Sequence, residues 1–198
     1  MHSLSQEMDY VISEIANRIS KAIGPDATIT MYIAGGVAMT YYCNTRSTDD
    51  IDAFYDKRLS LGGIDGLVSY KDTTGAQRSC YLDGNYNPTL GMMHEDFEKN
   101  AINWKPLHNK PANITIKVLS PIDLAITKID RFSEQDRQDI MDLASAKLID
   151  SSSLKTKSLE ALRYAVGNTE RIKNFIEIIC KEIDAKTEAE LASSQEPK

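Results

Sequence analysis

Tyr32–Asp56, YIAGGVAMTYYCNTRSTDDIDAFYD, is the stretch that decides how the rest is read. An apolar strand runs into Gly35–Gly36, a short helix follows, and a second strand carries Asp50 and Asp52. Side chains alternate faces along a strand, so Asp50 and Asp52 point one way while Ile51 and Ala53 point into the core. Two carboxylates that close repel each other, and a divalent cation is the usual compensation. Hard oxygen donors with few other ligands suit Mg²⁺ or Mn²⁺, which keep waters and bind phosphates. Gly35 and Gly36 let the backbone approach a phosphate, and the helix after them offers free N–H groups and a positive dipole end. Either half alone has a plainer reading: Gly-Gly before a helix is most often a turn, and Asp-x-Asp on a strand is most often a solvated edge. The joint order of strand, Gly-Gly, helix, strand and Asp-x-Asp is far more specific. AGGVAMTY is not a P-loop, and it lacks the third glycine of a dinucleotide fingerprint.

Working outward, Ser3–Ile23 carries Leu4, Met8, Val11, Ile12, Ile15, Ile19 and Ile23 at helical spacing, and Gly24-Pro25-Asp26 ends that helix. Ala27–Ile33 and Ile51–Tyr55 read as strands with the helix Gly36–Cys43 between them. Gly66–Tyr70 and Arg78–Leu82 read as two short strands around the turn Asp72–Gly75. Asp56–Asp65 and Asp83–Met93 read as loops, His94–Ile102 as a short helix and Asn113–Leu119 as a further strand. Tyr41 and Tyr42 are candidates for stacking on a base, although core packing is the commoner use of such aromatics.

Beyond Leu119 the pattern is helical. Ser120-Pro121-Ile122-Asp123 combines a cap, Pro at the first position and an acid in the first turn. Ser133-Glu134-Gln135-Asp136 reads as a second N-cap, and Ile140, Leu143, Ala144 and Leu148 follow as an apolar stripe. Ser158–Val166 and Glu170–Ile183 read as two more helices. From Lys186 the composition turns charged and small, which predicts a fraying tail. The expected organisation is α+β: a strand-containing core over 1–119, a helical part over 120–185 packed on it as one unit, and a disordered tail over 186–198.

Composition narrows the class. The chain has 198 residues, 41% of them hydrophobic and 26% charged, and a formal net charge of -6. That acidity argues against a protein devoted to gripping nucleic acid, whose affinity comes largely from neutralising phosphates. Cys43, Cys80 and Cys180 are far apart and odd in number, with no CxxC, so neither a disulfide framework nor a zinc knuckle is indicated. No secretory leader pattern and no apolar run near the roughly 20 residues of a membrane span occurs. The expectation is a reduced, cytoplasmic protein that does not engage a membrane. No Ser, His and Asp set points to a hydrolase.

The motif residues resemble the DNA polymerase beta superfamily of nucleotidyltransferases, and most of all its small prokaryotic members related to the toxins of abortive-infection type E systems. In that group Gly-Gly is followed by Arg-x-Thr-x-Asp-Ile-Asp, and here Arg46, Thr48, Asp50, Ile51 and Asp52 stand in that order. A second motif of the group, a helical Lys, then Arg, then Asp-x-x-Asp, is matched by Lys128, Arg131, Asp136 and Asp139. YLDGNYNPTLGMMHEDFEKNA also resembles an uncharacterised branch, so the resemblance spans about Tyr32 to Ala144. It implies a mixed sheet flanked by helices, dependence on Mg²⁺ and a nucleoside triphosphate (NTP) as donor. Asp50 and Asp52 would hold metal. Gly35, Gly36, Arg46, Thr48 and Lys128 would meet the nucleotide, and Asp136 or Asp139 would orient the lysine or act as base. The competing reading of Lys128 and Arg131 is a structural ion-pair cluster with Asp136 and Asp139, and that of Arg46 and Thr48 is a turn before the strand.

Active members of the superfamily place a third carboxylate on a neighbouring strand. The strand Ile114–Leu119 has no acid, and Asp83, at the end of Arg78–Leu82, is the candidate with a suitable position, ahead of Glu95 and Asp96. Two functions follow as expectations. The first is an enzyme moving a nucleoside monophosphate (NMP) to a hydroxyl of a tRNA end, a protein or a small molecule, with a toxin–antitoxin or phage-defence context. The second is a degenerate domain that binds nucleotide or a partner, whether an antitoxin or a second copy of the chain.

Overall fold

The computed structural model describes residues 4–45, 48–59, 64–72, 74–83, 92–105, 110–165 and 168–193. It divides into two units, one of residues Met1–Asn87 and Lys99–Ser120, the other of Pro88–Glu98 and Pro121–Lys198. The stretch that ends at Glu98 belongs with the helical unit.

The first unit holds α1 (Leu4–Ile23), β1 (Ile29–Ile33), α2 (Gly35–Cys43), β2 (Asp50–Tyr55), β3 (Leu67–Lys71), β4 (Gln77–Asp83), β5 (Ile102–Asn103) and β6 (Ile114–Val118). The strands form one mixed sheet in the order β3-β4-β2-β1-β6-β5. β1 runs parallel to β6 and β2 parallel to β4, and the remaining pairs are antiparallel. This is the mixed sheet with helices that the resemblance implied.

Alternation sorts the sheet into two faces. Met31, Ile33, Ile51, Ala53, Val68, Cys80, Leu82, Ile116 and Val118 are buried on one of them. α1 packs on β3 and on α2, and α2 packs on β2. The apolar stripe of α1 (Met8, Val11, Ile12, Ile15 and Ile19) is fully buried, as its helical spacing predicts. The other face carries Asp50, Asp52 and Phe54 on β2, Tyr81 and Asp83 on β4, and Leu67 and Ser69 on β3. Tyr41 lies against Trp104, Tyr42 donates to the Leu119 carbonyl, and Trp104 donates to the buried Asp9 carboxylate, so the tandem tyrosines serve packing.

The second unit is helical: α4 (Pro121–Ile129), α5 (Glu134–Ser145), α6 (Ser151–Ala161), a 3-10 turn (Leu162–Tyr164) and α7 (Thr169–Ser193). The chain passes between the units within the short α3 (Phe97–Asn100), which starts just after His94-Glu95-Asp96. Three sequence expectations change here. The helix expected over His94–Ile102 shrinks to α3, and Ile102–Asn103 pairs with β6 instead. α6 starts at Ser151 behind the cap Asp150, not at Ser158. α7 runs to Ser193, so 186–193 are helical where a tail was expected, and 194–198 lie outside the described residues. No helix among the described residues is long and apolar enough to cross a membrane.

Candidate active site

β1 ends at Ile33 and α2 begins two residues later, at Gly35, with φ of 55°. That left-handed conformation strains any residue with a Cβ. A second constraint acts at the same position. A Cβ on Gly35 would lie 1.6 Å from Asp52 Oδ2, so the carboxylate of β2 occupies the space of the missing side chain. Gly36 is matched in the same way to Thr48, whose Oγ1 would be 2.7 Å from a Cβ there. The two glycines, Asp52 and Thr48 therefore form one packed cluster. The antiparallel β1–β2 pairing holds it, with Ala34 N donating to the Asp52 carbonyl at 2.9 Å.

Thr48 closes the turn before β2, its Oγ1 accepting from Asp50 N at 3.4 Å. The turn reading of this residue thus matches its contacts. Arg46 lies outside the described residues. The start of α2 has Ala34 as its N-cap, with no side-chain cap on its first N–H groups.

Asp50 is exposed and Asp52 half-buried, and their Cα atoms are roughly 6.6 Å apart at the usual rise of a strand. The candidate for the third acid lies on the neighbouring strand. β4 extends one residue beyond the expected Leu82, and Asp83 lies opposite Asp52 in the parallel register, about 4.8 Å away across the ladder. In that same register Asp50 faces Tyr81. Residues opposite each other in a ladder share a face, so Asp50, Asp52 and Asp83 project from the same side of the sheet. Among the described residues no three acidic, His or Cys side chains are gathered closely enough to hold a metal ion as they stand. The charge of Asp50 is felt beneath the sheet. Burial first, and the negative charges of Asp49 and Asp50 next, push the Cys80 thiol up to about 12.

The second motif lies in the other unit. The Lys128 ammonium donates to Asp139 Oδ2 at 2.5 Å and stands 3.8 Å from Asp136 Oδ1. Lys128, Asp136 and Asp139 are all almost completely buried. Asp139 accepts a further bond from Gln135 at 2.8 Å. Asp136 is the third residue of a capping box with Ser133, and it also accepts from Arg131 at 2.8 Å. Every part of the ion-pair cluster is present, and it ties the end of α4 to the first turns of α5.

Glu95 and Asp96, the weaker candidates for the third acid, belong to the helical unit. Glu95 accepts from the Tyr164 hydroxyl. His94 Nδ1 accepts from Asp96 N, which leaves Nε2–H to donate to Glu160 at 2.9 Å. Sequence reasoning missed Tyr81: a single exposed Tyr on a short strand carries no signal until its strand partner is known.

The chain matches no curated protein and no solved structure. One protein-family model does match, over residues 11–187, and its description is "Nucleotidyltransferase of unknown function" (DUF6036). With that match covering most of the chain, over a mixed sheet that sets Asp52 against both Gly35 and Asp83, the protein belongs to this nucleotidyltransferase family.

Proposed function

We propose that the protein is a metal-dependent nucleotidyltransferase that moves an NMP from an NTP to an acceptor hydroxyl. The observation that carries this reading is Asp83 opposite Asp52: an acid on the strand next to β2 supports the role of third carboxylate, which β6 has no residue to fill. An apolar or basic side chain in that place would have favoured a degenerate domain. Asp50, Asp52 and Asp83 suit a hard divalent cation: their donors are all oxygen, they come from adjacent strands, and Asp52 sits in a cradle that a Cβ at residue 35 would fill. Mg²⁺ or Mn²⁺ held there would neutralise the acids and polarise the phosphate oxygens.

The chain's own groups do the rest. The N–H groups opening α2 and the bare backbone of Gly35–Gly36 hold the triphosphate, with the helix dipole favouring its charge. The acceptor oxygen attacks the α-phosphorus, the bond from that phosphorus to the bridging oxygen breaks, and pyrophosphate leaves with the electron pair. Asp83, on the flank away from Gly35, takes the hydroxyl proton. Lys128 is given no part in this reading, because its ammonium is buried and its charge is already met by Asp139 and Asp136. The resemblance to abortive-infection toxins supports a toxin–antitoxin or phage-defence setting, with an antitoxin or a second copy as partner.

The test is label transfer from each α-³²P-NTP with Mg²⁺, offered total tRNA and a protein lysate, beside the Asp50→Ala/Asp52→Ala double variant. Label entering one macromolecular pool, and absent with the variant, is the expected result. No label in any pool, together with no NTP binding by calorimetry, would sink the reading.

A further inference from the structure

Across the sheet from Asp50 the open face becomes apolar. Tyr81 faces Asp50 on one side and Leu67 on the other, in a single row over β2, β4 and β3. Tyr81 is 54% exposed and Leu67 47% exposed, although both lie within a ladder. Their backbone is well held. Arg18 donates to the Asp65 and Leu67 carbonyls at 2.7 Å each, and Leu67 N donates to Asp65 Oδ1 at 3.0 Å. The ring lies beside the Gly66 backbone: a Cβ there would be in ordinary contact with Tyr81 Cε2, at 3.5 Å. The result is an exposed aromatic on a firmly paired strand, one ladder step from Asp50.

Resting on the transferase reading, we infer that Tyr81 and Leu67 form the stacking platform for a nucleobase of the acceptor. Direction decides between donor and acceptor. In-line displacement puts the attacking and leaving oxygens on opposite sides of the phosphorus. The leaving pyrophosphate sits over Gly35–Gly36 on the β1 side of β2, so the attacking hydroxyl arrives from the β4 side, where Tyr81 lies. An aromatic face with an aliphatic neighbour recognises a base by stacking, whatever its identity. The acceptor is thus a ribonucleoside hydroxyl, borne by a free nucleoside or by the end of an RNA strand. The chain's net charge of -6 fits binding led by stacking over one led by phosphate neutralisation.

The experiment is equilibrium binding without turnover. Fluorescence anisotropy of a labelled mixed-sequence oligoribonucleotide and equilibrium dialysis of the four nucleosides are measured for the full chain, Tyr81→Ala and Tyr81→Phe. Calorimetry with Mg²⁺-ATP is run in parallel. Tyr81→Ala is expected to weaken acceptor binding about tenfold or more, Tyr81→Phe to stay within about threefold of the parent, and Mg²⁺-ATP affinity to be unchanged. Binding of the oligonucleotide alone assigns an RNA end, and binding of nucleosides as well assigns a free nucleoside. Equal binding by Tyr81→Ala, or no binding of either probe by the parent chain, would overturn the platform. Tyr81-dependent binding in a chain that transfers no label would leave the platform standing while the transferase reading falls.

Discussion

The carboxylate of Asp52 fills the space that a side chain at Gly35 would take, with Oδ2 only 1.6 Å from where that Cβ would be. No side chain can be added at residue 35 while the Asp52 carboxylate stays in place, which ties the Gly-Gly turn to Asp-x-Asp. Gly35→Ala is expected to cost about 1–3 kcal/mol, because φ of 55° is strained for any residue with a Cβ and Asp52 must also turn away. A displacement on the order of 1 Å at a reacting group lowers rates by about 100-fold, so transfer should fall at least that far. Urea denaturation and the label-transfer assay check both. Full activity in Gly35→Ala would mean that Asp52 does not work from this position.

Asp83 stands opposite Asp52, and like charges directly across a ladder destabilise it by about 0.2–1 kcal/mol. In EDTA, Asp83→Asn should therefore be slightly more stable than the parent chain. Mg²⁺ should raise the melting temperature of the parent and raise that of Asp83→Asn much less, because a ligand stabilises in proportion to its affinity for the folded state. An equal Mg²⁺ shift in both would remove Asp83 from the metal site.

Lys128 separates structure from catalysis in the second motif. Removing one member of a buried ion pair costs about 3–5 kcal/mol, whereas replacing both by packed apolar groups is often neutral. Lys128→Met and Asp139→Leu should each destabilise by that order, and the double variant should recover most of the loss. Urea midpoints of the four proteins measure the coupling. A Lys128→Met chain of parental stability that has lost NTP affinity would restore the lysine to the phosphates.

The thiols differ in a way that alkylation can read. Burial holds Cys180 up at about 11 and, with the nearby acids, Cys80 up at about 12, whereas Cys43 is half-exposed at the end of α2. The thiolate is the reactive form, so iodoacetamide at pH 8 should label Cys43 first. Cys80 and Cys180 should react at comparable rates only in denaturant. Peptide mass mapping over time follows the order, and early labelling of Cys80 would contradict the closed sheet face.

Much of this architecture was legible because local signals agreed with the fold. The stripe of α1, the Ser133 capping box and the alternation in β2 all appear as their residues predict. The misses have physical causes. β5 is two residues long and exists only through its pairing with β6. α6 buries only Leu154, Ser158 and Ala161, too sparse a stripe to show a period, so its start was set too late. α7 continues past Ile183 on charged and small residues, which can be helical without an apolar face. In the site, Asp83 was visible as an acid at a strand end. Its partner Asp52 and the neighbour Tyr81 depend on the parallel pairing of β2 with β4, a long-range fact that no window of sequence contains.

Acid should loosen the helical unit at α6 in a defined direction. The Ser153 backbone N–H, 2.8 Å from Asp150 Oδ1, and then the Ser153 hydroxyl hold the Asp150 carboxyl below its usual range. At the other end, the Lys157 ammonium and then His94 draw Glu160 down to about 2. A carboxyl depressed on folding contributes stability that is complete above its ordinary value and is lost as pH falls through the folded one. Both contributions are therefore full at neutral pH, begin to fade below the ordinary 3.8 of Asp150 and 4.5 of Glu160, and for Glu160 are gone below about 2. Loss of a cap costs about 0.5–2 kcal/mol, so Asp150→Ala should lie below the parent by that amount at pH 7. The gap should begin to close as pH falls below the ordinary 3.8. Asp150→Asn keeps a neutral acceptor and should stay near the parent at pH 7, with a shallower acid slope. Urea midpoints at a series of pH values measure all three, and a gap between parent and Asp150→Ala that stayed constant to pH 2 would deny the carboxylate its role at this helix start.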